Sequence, residues 1–199
     1  MDNTFARRLV NARKIRCMSQ RDLRDALNGA VSSSAIEKYE KGLMMPSSDV
    51  LILFSKALGM NLDYFFRPFA VSLNPSGFEF RKSSRLGVKQ EESIKYTVCN
   101  EMEKYLEIEA ILGISAKFSL DYSNVSVESE GDAVSLARRF RQDLDLGADA
   151  IVSAVELLES IGIKIIEIDG GGSFSGTCNK AGDIPAIVVN RGRSVMIFS

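Results

Sequence analysis

Apolar residues recur every three or four positions in five short segments of the first 66 residues, which is the spacing of amphipathic helices. The first segment begins at Thr4, a residue suited to cap it, and its apolar positions are Phe5, Leu9, Ala12 and Ile15. The fourth follows Pro46, and its broad apolar face consists of Val50, Leu51, Leu53, Phe54, Ala57 and Leu58. The fifth is short and contains Leu62, Tyr64, Phe65 and Phe66. The pattern predicts a compact all-helical domain.

The second and third segments form a pair within residues 19–42. Ser19 is a good cap for the second, because its hydroxyl can accept a hydrogen bond from a free amide of the first turn. The apolar positions that follow are Leu23, Ala26 and Leu27. Asn28 and Gly29 then interrupt the pattern, as the residues of a tight turn do.

The third helix is predicted to begin at three consecutive serines, Ser32, Ser33 and Ser34. Ile36 and Tyr39 supply its inward face, and Gly42 is placed to end it in the left-handed conformation. A helix, a turn, and a helix with small polar residues at its start form a geometry that fits the major groove of DNA.

The pattern changes after residue 67. Residues 68–88 contain two prolines, several serines and mixed charge, which predicts a linker with a short extended piece near 78–81. Residues 89–113 predict a long helix with an apolar stripe of Ile94, Val98, Met102, Tyr105, Ile108 and Leu112. A stripe of this length predicts a packing face, and two alternatives are open for its partner: the rest of the same chain, or a second subunit.

Two more helices and a small sheet are predicted beyond the polar, irregular residues 114–130. The helix that starts at Asp132 has the inward positions Ala133, Leu136, Ala137, Phe140 and Leu144. The helix over 149–160 has the apolar positions Ile151, Val152, Val155 and Leu158, with Glu156 and Glu159 on its solvent side. Strands are predicted at 163–168 and 186–190, with a glycine-rich loop at 170–176 and a further element at 195–198. Residues 89–199 are therefore predicted to form an α+β domain.

Charge and composition narrow the possible functions. Residues 1–67 hold 11 Lys and Arg against 7 Asp and Glu, whereas the remainder holds 14 against 19. A basic part joined to an acidic one is typical of a nucleic-acid module fused to another domain, and a chance fluctuation is the alternative. Histidine is missing altogether, so this chain offers no imidazole for a catalytic triad or for a metal.

The cysteines and the hydropathy pattern indicate a cytoplasmic setting. Three cysteines lie far apart without zinc-ligand spacing, and they are predicted to be reduced, buried thiols: Cys17, Cys99 and Cys178. No apolar run reaches the length of a membrane span, and the N-terminus lacks the apolar core of a signal peptide. The glycine-rich loop lacks the Lys-Ser/Thr ending of a phosphate-binding loop, so it is predicted to be a surface loop.

Residues 5–66 resemble the Xre/phage-repressor helix-turn-helix family. The resemblance rests on RRLVNARKIRCMSQRDL, then SSSAIEKYEKG, then P-S-S-x-V-L-x-x-F-S-K-A-L-G, in the order and spacing of that family. It implies a five-helix, lambda-repressor-like DNA-binding domain over residues 1–67, followed by a linker over 68–88. It also implies an ion pair between Arg13 and Glu40 that supports the fold.

The same resemblance carries DNA contacts over to individual positions. It implies that bases are contacted by Ser33, Ser34 and Lys38, a set of side chains that can hydrogen-bond to base edges. Contacts to phosphate are implied for Gln20, Ser32, Lys41, Arg7 and Arg16, with Gln20 helped by the amides at its helix N-terminus. For the serines, capping the helix without touching DNA is the alternative.

The stretch ARRFRQDLDLGADAIVSAVELLESIGIKIIEID, followed by the glycine-rich loop and IPAIVVN, is similar to the front half of ImmA/IrrE-type domains. That family implies a zinc-dependent peptidase or a sensor derived from one, with zinc held by an H-E-x-x-H helix. The sequence stops at Ser199, where that helix is expected to start. The chain is thus expected to be truncated, proteolysed or naturally short, with no catalytic residue, metal ligand or cofactor, and zinc is expected only if such a helix follows.

The sequence favours a DNA-binding transcriptional regulator, expected to repress as a homodimer on a palindromic operator. Its C-terminal domain, 89–199, is expected to sense a small molecule or protein partner, to dimerise, or both. No membrane partner and no enzymatic activity are expected of the chain as it stands. The alternatives are the DNA-binding half of an ImmA/IrrE-type zinc metallopeptidase that cleaves a regulatory partner, and an antitoxin-like partner protein.

Overall fold

The N-terminal part of the protein is helical, and the C-terminal part combines helices with a small sheet. The computed structural model describes residues 3–71, 73–75, 87–114, 117–118, 120, 122, 124–170, 176–181 and 184–191. In chain order the elements are α1 (Thr4–Ile15), α2 (Gln20–Ala26), α3 (Ser33–Glu40), α4 (Ser48–Leu58), a 3-10 helix (Leu62–Phe65), α5 (Val88–Leu112), α6 (Glu130–Asp143), α7 (Ala154–Ser160), β1 (Lys164–Ile168), β2 (Gly176–Ala181) and β3 (Ile184–Asn190).

The five N-terminal helices bury one shared apolar core, as their spacing predicts. Its members come from every predicted segment: Phe5, Leu9, Ala12, Leu23, Leu27, Val31, Ile36, Tyr39, Phe54, Leu58 and Phe65. Three details of the prediction are wrong. The fifth helix is a 3-10 helix that ends at Phe65, so Phe66 lies beyond it and is exposed. Thr4 is the first residue of α1 rather than its cap, and Asn3 in the cap position makes no capping hydrogen bond. Ala26 is exposed, because α2 ends there and only its leucines reach the core.

The C-terminal sheet has the strand order β1-β3-β2. β1 and β3 run parallel, with Ile166 beside Val188, and β2 lies antiparallel to β3. The sequence pattern misses β2 and places its first residue, Gly176, in the glycine-rich loop. A Cβ at Gly176 would lie 2.7 Å from the carbonyl oxygen of Val188, so the close approach of the two strands favours glycine there.

α5 covers this sheet with the first half of its apolar stripe. The second core consists of Ile94, Val98, Cys99, Met102, Ile166, Ile168, Ala186 and Val188. The second half of the stripe lies outside it, since Ile108 and Leu112 are 57% and 63% exposed. Among the described residues, the stripe has packing partners as far as Tyr105, which packs against the edge of the core.

The helices α6 and α7 pack less closely than predicted. None of the residues of α6 is buried; Ala133 and Ala137 are exposed, and the half-buried inward positions are Leu136, Phe140 and Leu144. α7 begins five residues later than predicted, which leaves Ile151 and Val152 exposed ahead of it, and Val155 is exposed on the helix itself.

The pattern predicts Glu159 on the solvent side of α7, and this is wrong, because the residue is half-buried against α5. The Tyr105 hydroxyl on α5 donates a hydrogen bond to the Glu159 carboxylate at 3.0 Å. Burial, and then this carboxylate, raise the pKa of Tyr105 to about 12. The phenol therefore stays protonated at neutral pH and links α5 to α7.

A buried ion pair joins the helical N-terminal part to α5. The Arg8 guanidinium on α1 donates to both carboxylate oxygens of Glu103 at 2.6 and 2.7 Å, and the two side chains are 0% and 4% exposed. Arg8 also donates to the carbonyl oxygens of Arg67 and Pro68, both at 2.9 Å. Burial alone would lower the pKa of Arg8, but the hydrogen bonds and charge of Glu103 raise it.

The segment after the 3-10 helix takes part in this junction. We call residues 67–71 and 73–75 the connector. The Phe69 ring of the connector stacks on Arg8, with 3.8 Å between the guanidinium carbon and the ring centroid. The Ala70 backbone amide donates a hydrogen bond to the Glu103 carboxylate at 3.3 Å. The start of the predicted linker is therefore fixed between α1 and α5.

Some predictions lie outside the described residues: the extended piece near 78–81, the interior of the glycine-rich loop at 171–175, and the element at 195–198.

Of the three thiols only Cys99 is buried, which corrects the prediction for Cys17 and Cys178. Within the described ranges, no helix is both long and apolar enough to cross a membrane, and no three potential metal-ligating side chains come together. The resemblance of the C-terminal part to ImmA/IrrE-type domains stays a prediction.

Candidate nucleic-acid interface

A reciprocal capping box fixes the start of α2. The Ser19 hydroxyl accepts from the Asp22 amide at 3.1 Å, and the Asp22 carboxylate accepts from the Ser19 amide at 2.8 Å. The Lys89 ammonium, from the first turn of α5, donates to the same carboxylate at 2.9 Å. The Ser19 amide and then Lys89 lower the pKa of Asp22, so the carboxylate stays ionised and keeps the cap intact at neutral pH.

Two consecutive left-handed residues make the turn between α2 and α3. Asn28 has φ +52° and Gly29 φ +73°, conformations in which asparagine and glycine are the least strained residues. The Gly29 amide donates back to the Arg24 carbonyl at 3.1 Å, which closes the end of α2. Val31 then enters the core and holds the turn against the domain.

The opposite faces of α3 have different roles. Ser32 caps the helix, with its hydroxyl accepting from the Ala35 amide at 3.1 Å. On the inner face, Ile36 is fully buried, and the Tyr39 ring meets Phe54 edge-on with centroids 5.9 Å apart. The inner face therefore sets how the helix is rotated in the domain.

The outer face carries the three residues predicted to contact bases. Ser34 and Lys38 are exposed and lie four residues apart, hence one above the other on the helix, and Ser33 beside them is half-buried.

Residues 11–65 match the helix-turn-helix family model HTH_3. The N-terminal part is thus an Xre-like helix-turn-helix, as the sequence predicts, and it indicates a DNA-binding regulator. Comparison with curated proteins and with solved structures found no match.

The predicted ion pair between Arg13 and Glu40 holds the helix-turn-helix to α1. Arg13 donates to both carboxylate oxygens of Glu40, at 2.5 and 2.9 Å, and to the Met18 carbonyl at 2.8 Å. Both charged side chains are 7% exposed. The bidentate geometry fixes the end of α3 relative to the residues that lead into α2.

Three of the predicted phosphate contacts belong to the helix-turn-helix itself. Gln20 donates one amide hydrogen to Glu40 at 2.7 Å, which orients its side chain at the start of α2 and leaves the second hydrogen. Lys41 forms an exposed ion pair with Glu37 at 2.5 Å, a kind of pair that exchanges readily for another anion. Ser32 uses its oxygen as a cap and keeps its hydroxyl proton for donation.

The two arginines of α1 have other contacts. Arg7 stacks over the Phe69 ring of the connector, 4.1 Å from the guanidinium carbon to the centroid. Arg16 donates to the carbonyls of Leu58 and Gly59 at 2.6 and 3.4 Å, where it satisfies the C-terminal end of α4. For these two residues, a phosphate contact stays a prediction from the resemblance.

The sequence does not predict the position of one basic residue beside this interface. Lys89 lies 67 positions beyond Asp22, yet the fold places it at the start of α2, on a cleft of about 380 Å³ shared with Arg21 and Gln20. Because α5 begins only after the connector, no local pattern reveals this approach. The local sequence indicates only that a basic residue stands in the first turn of the long helix after the linker.

Proposed function

We propose that this protein is a sequence-specific DNA-binding repressor that acts as a homodimer on a palindromic operator in the cytoplasm. The proposal rests on the exposed polar side chains on the outer face of α3. The side chains of Ser34 and Lys38 point away from the core, and neither makes a hydrogen bond to any described residue. A lysine and a serine in this position can hydrogen-bond to acceptors on base edges in the major groove.

The residues predicted to contact DNA fall into two classes according to their positions around α3. Lys38 and Ser34 would read bases, whereas Gln20 and Lys41 lie at helix ends, where side chains usually hold the phosphate backbone. Loss of a base-reading side chain lowers affinity for the operator selectively, and loss of a phosphate ligand weakens binding to all sequences.

Replacement of Lys38 by alanine should lower affinity for the preferred sequence by about 5- to 150-fold, because one base contact is worth about 1–3 kcal/mol. The preferred sequence would first be selected by the wild-type protein from random duplexes. Affinity for it, for its palindromic form and for random DNA would then be measured by fluorescence anisotropy at several salt concentrations. The salt slope counts the phosphate contacts.

Lys117→Ala is the matched control, since it removes the same charge from an exposed site outside the helix-turn-helix. Its affinity should stay within about twofold of wild type, in keeping with a residue that makes no contact. The proposal is wrong if the wild-type protein shows no preference for any sequence over random DNA.

Dimerisation would use the uncovered end of α5. Three apolar residues there are 57%, 77% and 63% exposed: Ile108, Ile111 and Leu112. Ile114, just beyond the helix, is exposed as well. A contiguous apolar surface of this kind is typical of a protein–protein interface, and two copies of the helix-turn-helix are what a palindromic operator requires.

Ile111→Glu should raise the dimer dissociation constant by at least about 30-fold, since burying a carboxylate in such an interface costs 2 kcal/mol or more. Sedimentation equilibrium over a range of protein concentrations measures the constant. Val88→Glu makes the same change at the other end of α5, where the side chain is 84% exposed, and should leave the constant unchanged. A wild-type protein that remains monomeric at every concentration would contradict the dimer.

A further inference from the structure

The junction between α1, the connector and α5 contains a cleft of about 220 Å³. One wall is apolar, with Val10 on α1 and Phe69, Val71, Leu73 and Pro75 on the connector, and the rest of the lining is largely polar. A cavity of about 150 Å³ is enough to hold a benzene molecule, so this one has room for a substituted single ring. We propose that this junction cleft is an effector site for a small organic anion that carries an apolar ring and a hydrogen-bond donor.

The requirement for an anion comes from Arg7. This arginine lines the cleft, is exposed at its rim and forms no ion pair with any described residue. The two carboxylates on the same cleft are already neutralised, because Arg8 binds Glu103 and Arg13 binds Glu40. The cleft therefore keeps one unpaired positive charge, stacked on the Phe69 ring at its apolar wall.

The requirement for a donor comes from Asn100 on α5. Its side-chain oxygen is buried and accepts no hydrogen bond, while its nitrogen donates to Glu101 at 3.2 Å. A buried acceptor without a partner is unfavourable, and a hydroxyl or N–H of a ligand would supply the missing bond. The neighbouring Cys99 adds no charge, because burial raises the pKa of its thiol to about 12.

The position of the cleft connects it with DNA binding. It touches α1 and Glu40 on one side and α5 on the other, and Glu40 also accepts hydrogen bonds from Arg13 and Gln20. A ligand that bridges the two sides stabilises one placement of the helix-turn-helix against α5. By linkage, DNA binding and ligand binding then change each other's affinity by the same factor. This regulatory step rests on the proposed DNA-binding function, whereas the existence of the site does not.

The site can be tested on the full-length protein without DNA. The probes are 3- and 4-hydroxybenzoate, which carry a carboxylate, a ring and a hydroxyl, with benzoate and 4-hydroxybenzyl alcohol as probes that lack one group each. Titrations followed by the NMR resonances of the Asn100 side-chain amide and of Tyr96 report both affinity and location. Ligands of about ten non-hydrogen atoms typically reach dissociation constants near 1 mM. We expect one hydroxybenzoate to bind at about that level and both incomplete probes about fivefold or more weakly.

Two variants and a control locate the binding. Asn100→Ala removes the acceptor and Val71→Phe fills the apolar wall, so each should weaken the hydroxybenzoate about fivefold or more. The control is Asn124→Ala, the same asparagine-to-alanine substitution at an exposed site outside the cleft, which should leave the affinity for the hydroxybenzoate unchanged. The inference fails if neither hydroxybenzoate binds, or if binding is unchanged in both cleft variants.

The coupling to DNA is measured separately, as the operator affinity with and without saturating hydroxybenzoate. We expect a change of about fivefold or more for the wild-type protein and none for Val71→Phe. A bound probe that leaves operator affinity unchanged would overturn the regulatory role and leave the site standing. If the protein binds no preferred DNA sequence, the proposed function fails, and the NMR titration still decides the site.

Discussion

Replacement of Glu103 by alanine should lower the free energy of unfolding by about 3–5 kcal/mol, one of the two largest effects expected of a single substitution here. The loss comes from Arg8, which would remain buried between the Tyr64 and Phe69 rings with its charge unpaired. Arg8 would keep its hydrogen bonds to the carbonyls of Arg67 and Pro68, which do not neutralise it. Urea denaturation followed by circular dichroism measures the change.

A variant that removes both charges separates the effect of the unpaired charge from simple loss of packing. In the variant Arg8→Met/Glu103→Leu both charges are gone, and its stability should exceed that of Glu103→Ala, since an apolar pair leaves no buried charge. Glu101→Ala, on the same helix, removes the partner of an exposed ion pair with Lys104 and should cost less than about 1 kcal/mol. Equal losses for Glu101→Ala and Glu103→Ala would show that the buried pair has no special role.

Replacement of Glu40 by alanine should also lower the free energy of unfolding by about 3–5 kcal/mol, because it leaves Arg13 buried without its partner. It should in addition weaken operator binding, even under conditions where the variant is fully folded. Glu40 orients Gln20 and, through Arg13, the Met18 carbonyl just before α2. Stability is measured by urea denaturation and operator affinity by fluorescence anisotropy.

Two further variants test this role of Glu40. Glu40→Gln keeps the shape and one acceptor oxygen, so it should retain more of the operator affinity than Glu40→Ala. Glu37→Ala lies one turn earlier on α3, where it removes only the exposed partner of Lys41, and its stability should be close to wild type. A Glu40→Ala protein as stable as Glu37→Ala would contradict the structural role of the Arg13–Glu40 pair.

The sequence predicts those parts of the fold that local chemistry determines. Ser19 and Ser32 cap their helices as expected, because a serine at a helix start needs only the amides of the next turn. Asn28 and Gly29 mark the turn because few other residues adopt positive φ at low cost. The outward positions on α3 follow from the same local periodicity, which also places Ile36 inside.

The features that depend on distant partners are missed. β2 has little apolar alternation in GTCNKA, and its pairing is provided by β3, so nothing local marks it as a strand. The burial of Arg8 is not predicted either, since its partner Glu103 is 95 positions away. The junction cleft is missed for the same reason, because it exists only where α1, the connector and α5 meet.

The separation between Arg8 and Glu103 also affects how the protein is made. A ribosome adds about 5–20 residues per second, so the 95 residues from the one after Arg8 to Glu103 take about 5–20 s to follow. During that interval the helix-turn-helix can form from residues already synthesised, but Arg8 must remain hydrated beside an unfinished junction. The N-terminal helices therefore reach their final attachment only after α5 has left the ribosome. The helix-turn-helix and the junction that attaches it to α5 therefore form one after the other during synthesis.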